Sequence, residues 1–247
     1  MNLSGAGWKT YERVVAAVEA ESRGLEFSIT PNAKLKGAIS GRSRQIDILI
    51  DLRWSEDVQH RTIVDAKLRR RKIDVKDVEG FLGMMQDCRA SRGIVVCTAG
   101  YSAAALARAQ EAVTIKLLDE GQEEDFPWAQ YDFCLGKCAD KGQSARRGLV
   151  LWDAQHPLPF GPGWLIVWTG KCDVCREFHV WCWDCGSKFA VPNEGHCDCG
   201  CEELLCASLI EEELDAAGVL NAIYLILLDK SVDPPNGIIQ LDRVALR

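Results

Sequence analysis

Three charged residues in two apolar stretches carry the chemistry of this chain. Asp47 stands inside RQIDILID (residues 44–51), and Asp65 and Lys67 stand inside RTIVDAKL (residues 61–68). Both stretches read as β-strands, in which side chains alternate between the two faces. In the first, Ile46, Ile48 and Ile50 take one face and Gln45, Asp47 and Leu49 the other. In the second, Ile63, Asp65 and Lys67 share a face opposite Val64, Ala66 and Leu68. If the strands pair, Asp47, Asp65 and Lys67 converge. Two carboxylates and an ammonium at the edge of buried structure are costly unless they are partnered. A divalent cation is the natural partner, because Mg²⁺ takes one or two carboxylates, keeps waters and accepts phosphate oxygens. That set, with a lysine to orient water or stabilise developing charge, is the apparatus for phosphodiester hydrolysis. An isolated Asp-x-Lys is common by chance; the upstream Asp in its own strand, the helices on either side and a local excess of cations add weight.

A second group is built from cysteine. Eight of the twelve cysteines fall between Cys172 and Cys206, while Cys88, Cys97, Cys134 and Cys138 are scattered. The spacing Cys172-Asp-Val-Cys175, Cys182-Trp-Asp-Cys185-Gly and Cys197-Asp-Cys199-Gly-Cys201 is that of a zinc ribbon, and thiolate pairs suit tetrahedral zinc. Cys182, Cys185, Cys197 and Cys199 form one candidate site, and Cys172, Cys175, Cys182 and Cys185 another; eight cysteines suffice for one or two Zn²⁺ ions. His179 and His196 are possible replacement ligands. A four-thiolate site is closed, so its expected role is structural. Lys171 to Cys206 holds three basic and seven acidic residues, which favours a protein contact over a phosphate contact. A homodimer or a partner subunit held through this module is the expectation.

The net charge of -7 argues at first against a nucleic-acid partner, but Lys34 to Lys72 holds eleven Lys and Arg against five Asp and Glu. One basic stripe therefore runs through the strands that carry the carboxylates, and DNA is the partner it suits. Arg42, Arg44, Arg69, Arg70, Arg71 and Lys72 flank those strands and are the candidate DNA contacts. The first helical pattern carries Lys9, Glu12 and Arg13, and the apolar run AGVLNAIYLILL is too short to span a bilayer. Neither an export signal nor a membrane partner is expected, and the expected location is cytoplasmic.

The elements that must position these residues follow from periodicity. Trp8, Tyr11, Val15 and Val18 trace an amphipathic helix over 6–21. A short strand is predicted at Leu25 to Ile29, a turn at Lys36 to Ser43, and the two acidic strands next. Asp74 caps a helix carrying Val75, Val78, Leu82 and Met85. GIVVCT makes a strand buried on both faces, Ser102 caps a helix over Ala103 to Ala112, and Val113 to Leu118 closes the series. The order αβββαβαβ predicts an α/β sandwich on a mixed sheet with right-handed crossovers. Beyond it lie strand candidates LVLW and WLIVW, the cysteine segment, an acidic helix at 208–217, and the strand-like runs NAIYLILLD and GIIQLDRV. The predicted organisation is a nuclease domain over 1–120, a connecting β-rich segment over 121–170, a zinc-ribbon-like module over 171–206 and a C-terminal α/β segment over 207–247.

RQIDILI, IVDAKLRRRKIDVKDVEGF, QDCRASRGIVVCTAGYS and AALARAQEAVTIKLLD, in this order, resemble the Mrr-like restriction endonuclease family of the PD-(D/E)xK superfamily over roughly residues 6–120. The resemblance implies a restriction-endonuclease-like three-layer sandwich on a mixed β-sheet, with catalysis by Asp47, Asp65 and Lys67. It implies Mg²⁺ or Mn²⁺ held by Asp47 and Asp65, assistance from Glu12 of the first helix, and a role in DNA restriction or defence. Many relatives carry Glu where this chain has Asp65, a difference of one methylene at the metal. Thr98, Gly100 and Ser102 match the family's strand-to-helix turn and are read as structural. A nuclease specific for junctions or flaps, or a non-cleaving DNA-binding or scaffolding protein on the same fold, are the alternatives.

Overall fold

A computed structural model describes residues 7–191 except 25, 54–57, 111, 120, 122–124, 142–146, 161–162 and 184, together with the strand backbones between 196 and 245. Two compact units divide the chain, residues 1–23 with 27–131 and residues 24–26 with 132–247.

The first unit runs α1 (Gly7–Glu21), β1 (Phe27–Lys36), β2 (Ser43–Leu52), β3 (Thr62–Lys67), α2 (Val75–Asp87), β4 (Arg92–Cys97), α3 (Ala103–Ala109) and β5 (Val113–Leu117). Its five strands form one mixed sheet in sequence order. β1, β2 and β3 pair antiparallel, and β3, β4 and β5 pair parallel through the helical crossovers. α1 turns Tyr11, Val14 and Val15 inward and packs against β1, β2 and β3, while the Tyr11 hydroxyl donates to the Leu118 carbonyl at 3.0 Å. Val78, Phe81 and Met85 of α2 and Ala105 and Ala109 of α3 bury against Leu49, Ile63, Val95 and Val113 on the other face. Helix, sheet and helix pair make the three layers.

Local chemistry explains the boundaries. Asp74 accepts from the Asp77 amide at 3.0 Å and Asp77 returns the bond to the Asp74 amide at 2.9 Å, a reciprocal capping box that opens α2. Ser102 caps α3 through the Ala105 amide at 3.1 Å. α3 stops at Ala109, short of the expected Ala112, because Gln110 takes φ 49°. β1 is longer than its sequence pattern predicts and runs through Pro31, which an edge strand tolerates because the missing N–H faces away from the ladder.

The second unit contains two antiparallel sheets: β6 (Val150–Phe160), β7 (Gly163–Cys172), β8 (Phe178–Cys182) and β9 (Lys188–Val191), then β10 (His196–Cys197), β11 (Glu203–Leu214), β12 (Gly218–Asp229) and β13 (Gly237–Ala245). β7 and β8 pair from Val167↔Cys182 to Lys171↔Phe178, so their ladder ends one residue before Cys172. Over 208–214, the described part of the helix expected at 208–217, the chain is instead a strand: Glu203–Leu214 ladders along its whole length with β12. Glu and Leu are good helix formers, but propensity is a weak determinant, and a continuous ladder with the apolar run of β12 outweighs it. No helix among the described residues is long and apolar enough to cross a membrane.

Candidate active site and metal centre

The acidic site lies where two strands part. β2 and β3 pair through Ile50↔Thr62, Leu49↔Ile63 and Ile48↔Val64, and the ladder ends there. Continuing it by one step would set Asp47 opposite Asp65. The Asp47 carboxylate takes over the role of the lost backbone partner, accepting the Ala66 amide at 2.8 Å. On the other side, the β1–β2 ladder skips the pair Asn32 and Asp47, and Asn32 sits at φ 52°. Ile46 joins the same core cluster as Leu49, so strict alternation is interrupted at Asp47. An irregularity of this kind re-aims one side chain while the flanking isoleucines stay in the core.

Asp65 follows Val64 on β3, and its carboxylate meets the Lys67 ammonium at 2.7 Å, with side chains 13% and 36% exposed. Lys67 shares the face of Asp65 two residues on, as strand alternation requires. Burial pushes Asp47 up to about 6, with the Asp65 carboxylate adding to the rise and the Ala66 N–H opposing it. Glu12 on α1 is pushed up to about 8, chiefly by burial and then by the Asp47 and Asp65 charges. Glu12, Asp47, Asp65 and Lys67 therefore share one electrostatic field. Three carboxyl groups against Lys67 and the more distant Lys9 leave more oxygen donors than cations, and that donor set fits Mg²⁺ or Mn²⁺.

The basic residues expected to meet DNA divide into two groups. Arg69 is half-buried and bonds Asp77 with both terminal nitrogens, one at 2.9 Å. Arg71 bridges Asp74 and Asp77 at 3.0 and 3.1 Å, and Arg44 reaches Asp87 at 2.5 Å. These three hold the fold. Arg42, Arg70 and Lys72 are exposed. Thr98 donates to the Arg69 carbonyl at 2.8 Å and accepts its amide at 3.1 Å, and Gly100, at φ 78°, accepts the Ile73 amide. This turn fixes the end of β3 immediately beyond Lys67.

In the second unit, Cys134, Cys138, Cys172 and Cys175 bring four sulfur atoms within 4.8 Å of one another. Cys172 and Cys175 are thus gathered with Cys134 and Cys138, not with the Cys182 pair that sequence spacing suggested. The Cys172-x-x-Cys175 turn aims the Val174 and Cys175 amides at the Cys172 sulfur, both at 3.4 Å, and the Gly136 amide points at the Cys134 sulfur at 3.3 Å. Gly148 packs so closely on the Cys172 sulfur that a Cβ there would overlap it. Burial raises both the Cys172 and the Cys175 thiols, Cys175 to about 11. Buried thiols ringed by N–H donors suit a closed four-thiolate zinc site.

His179 is not a ligand in this arrangement. It is fully buried, its Nε2 accepts the Leu135 amide at 3.0 Å, and its Nδ1 lies 2.9 Å from the Glu177 carbonyl. Together with Glu177, which accepts the Lys137 amide, it fastens the 134–138 loop. Cys182 and Cys185 form a separate turn, with Gly186 at φ 77° and the Ser187 amide on the Cys185 sulfur at 3.4 Å. The side chains of Cys197 and His196, and Cys199 altogether, lie outside the described residues. Cys134 and Cys138 carried one signal in the sequence, a Cys-x-x-x-Cys spacing, but it lies 34 residues before Cys172.

Residues 4–122 match the family model described as restriction endonuclease, of the Mrr catalytic type. A comparison with curated proteins gives no match. Among solved structures, the crystal structure of a protein of unknown function is similar at 13% identity and TM-score 0.37, over 44% of this chain and 58% of that one. The family match covers the forked strands, the acidic residues and both layers of helices, a little under half of the chain, and over that stretch the sequence is similar to the Mrr-type restriction endonucleases.

Proposed function

We propose that the chain is a Mg²⁺- or Mn²⁺-dependent endodeoxyribonuclease acting in DNA restriction or defence, in the cytoplasm. The observation that carries this reading is the fork: Asp47 and Asp65 face one another where β3 leaves β2, with Lys67 at 2.7 Å from Asp65. Asp47 and Asp65 would hold the cation, with Glu12 at the edge of the same field. When bound there, the cation would neutralise charge on the scissile phosphate and lower the pKa of an attacking water. Lys67 supplies an ammonium beside Asp65 that orients the water and stabilises charge developing on the phosphate oxygens. Burial and the Asp47 and Asp65 charges favour the protonated form of Glu12, and a bound cation would favour its carboxylate instead.

Cys134, Cys138, Cys172 and Cys175 would hold one structural zinc, closed to substrate. A homodimer or partner subunit would use the acidic second unit, in keeping with its poor match to phosphate. Nicking of a supercoiled plasmid tests the activity. Cleavage is expected with Mg²⁺ or Mn²⁺, none in EDTA, and loss in Asp47→Ala, Asp65→Ala and Lys67→Ala with the fold retained. Folded triple-variant protein that nicks at the wild-type rate refutes the assignment and leaves a non-catalytic DNA-binding protein.

A further inference from the structure

We infer that the turn joining β1 to β2 is a rigid wedge for duplex DNA, in which Ile39 presses on a base step in the minor groove and Lys34, Lys36, Arg42 and Arg89 grip the flanking phosphates. The proposal rests on the nuclease reading of the fork and adds to it the surface that holds the substrate. Ile39 is the most exposed large apolar side chain among the described residues, at 77%. Single exposed isoleucines are ordinary, but this one is held with unusual care. Asp87, at the C-terminus of α2 with its side chain 4% exposed, accepts the Ile39 and Ser40 amides at 2.9 Å each and the Ser40 hydroxyl at 2.6 Å. Arg44 completes its partners at 2.5 Å, and the Asp87 carbonyl accepts the Ala38 amide at 2.7 Å. These bonds hold the Asp87 carboxyl far below the usual carboxylate range. Within the turn, Gly41 at φ 66° returns its amide to the Gly37 carbonyl. A buried charge spent on fixing a surface turn keeps the apolar tip from folding back onto the protein.

The surroundings say what the tip meets. Residues 32–44 contain four Lys and Arg and no Asp or Glu, and Lys34, Lys36, Arg42 and Arg89 are exposed. An apolar point ringed by cations complements a phosphate-flanked groove better than an apolar protein face, and architectural proteins kink duplexes with inserted Ile, Leu or Phe. Reach is adequate. The β1–β2 ladder continues to Lys36↔Ser43, beyond the Ile48↔Val64 pair where β3 departs. Arg42 is five residues from Asp47, at most about 17 Å at ~3.4 Å per residue. That is about five base pairs at ~3.4 Å each, so one duplex can touch both the fork and the tip.

The test is binding of a duplex containing 2-aminopurine at successive steps, by full-length protein in EDTA, between 50 and 200 mM salt on the order of the range where phosphate contacts are read. The wild type is expected to raise 2-aminopurine fluorescence at one step. Ile39→Ser should lose that signal and about tenfold or more in affinity, with an unchanged salt slope and an unchanged thermal midpoint. Ile39→Leu should keep both. Lys36→Ala with Arg42→Ala should flatten the slope by about 1.8, at ~0.9 per contact. If Ile39→Ser binds and unstacks like a wild type that still cuts DNA, the wedge is wrong and the nuclease reading stands. A wild type that neither binds nor cuts DNA overturns both. A change in sedimentation of DNA-free Ile39→Ser, with DNA binding intact, makes the tip a protein contact and also overturns the wedge.

Discussion

Asp47→Asn separates what the site costs the fold from what it does for the reaction. In the metal-free protein, burial pushes Asp47 from 3.8 to about 6. A folded-state pKa above the unfolded one means that the carboxyl's contribution is fully present below about 3.8 and is lost as pH rises through about 6. At ~1.36 kcal/mol per pKa unit, ionised Asp47 costs the fold about 3 kcal/mol at pH 8 relative to a neutral group. Asparagine keeps an oxygen to accept the Ala66 amide, now met at 2.8 Å, and carries no charge. In EDTA the variant should therefore be about as stable as the wild type near pH 4 and up to about 3 kcal/mol more stable at pH 8. Urea unfolding followed by hydrogen exchange of peptides spanning β2 and β3 reads the first unit alone. With saturating Mg²⁺ the order should reverse, because only the wild type gains binding free energy, and DNA cleavage by the variant should vanish. A difference in EDTA that does not change between pH 4 and pH 8 would refute the account of a buried, uncompensated carboxylate. Wild-type cleavage by the variant would refute its place in the reaction.

Three further outcomes follow from the same geometry. Lys67→Ala should lower cleavage by roughly 10²–10³ while changing stability by less than about 1 kcal/mol, since its partly exposed pair with Asp65 contributes little to the fold; single-turnover rates and urea midpoints check both. Purified, reduced protein should hold zinc that Cys138→Ser and Cys175→Ser each release with unfolding of the 134–175 region, because structural zinc contributes an apparent ~10 to 16 kcal/mol in finger peptides. Zinc lost on Cys185→Ser while Cys138→Ser keeps it would reassign the ligands. Arg69→Ala should cost roughly 1 to 3 kcal/mol of stability by removing the better buried of the two guanidinium groups that hold Asp77, with the salt dependence of DNA binding unaltered; a flattened slope would return Arg69 to the DNA-binding surface.

The sequence by itself determined the first unit nearly element by element. Helical spacing of Tyr11 and Val15, the Asp74 and Ser102 caps and the apolar run of β4 are local signals, and local chemistry acts on them in the fold as it does on paper. Period-two alternation likewise set Asp65 and Lys67 on one face of β3, where they pair. What alternation did not contain is the interruption at Asp47, which depends on β3 parting from β2 and on Asn32 adopting a positive φ across the hairpin. Charge counting marked Arg44, Arg69 and Arg71 as DNA contacts, but their partners Asp87 and Asp77 come from α2, and no window of sequence reports an ion pair across a fold. The thiolate cluster is the same lesson at longer range. Cys172 and Cys175 announce themselves by spacing, whereas Cys134 and Cys138 join them through a loop fastened by Glu177 and His179. A four-ligand site is defined by distances in space, and only two of those distances were short along the chain.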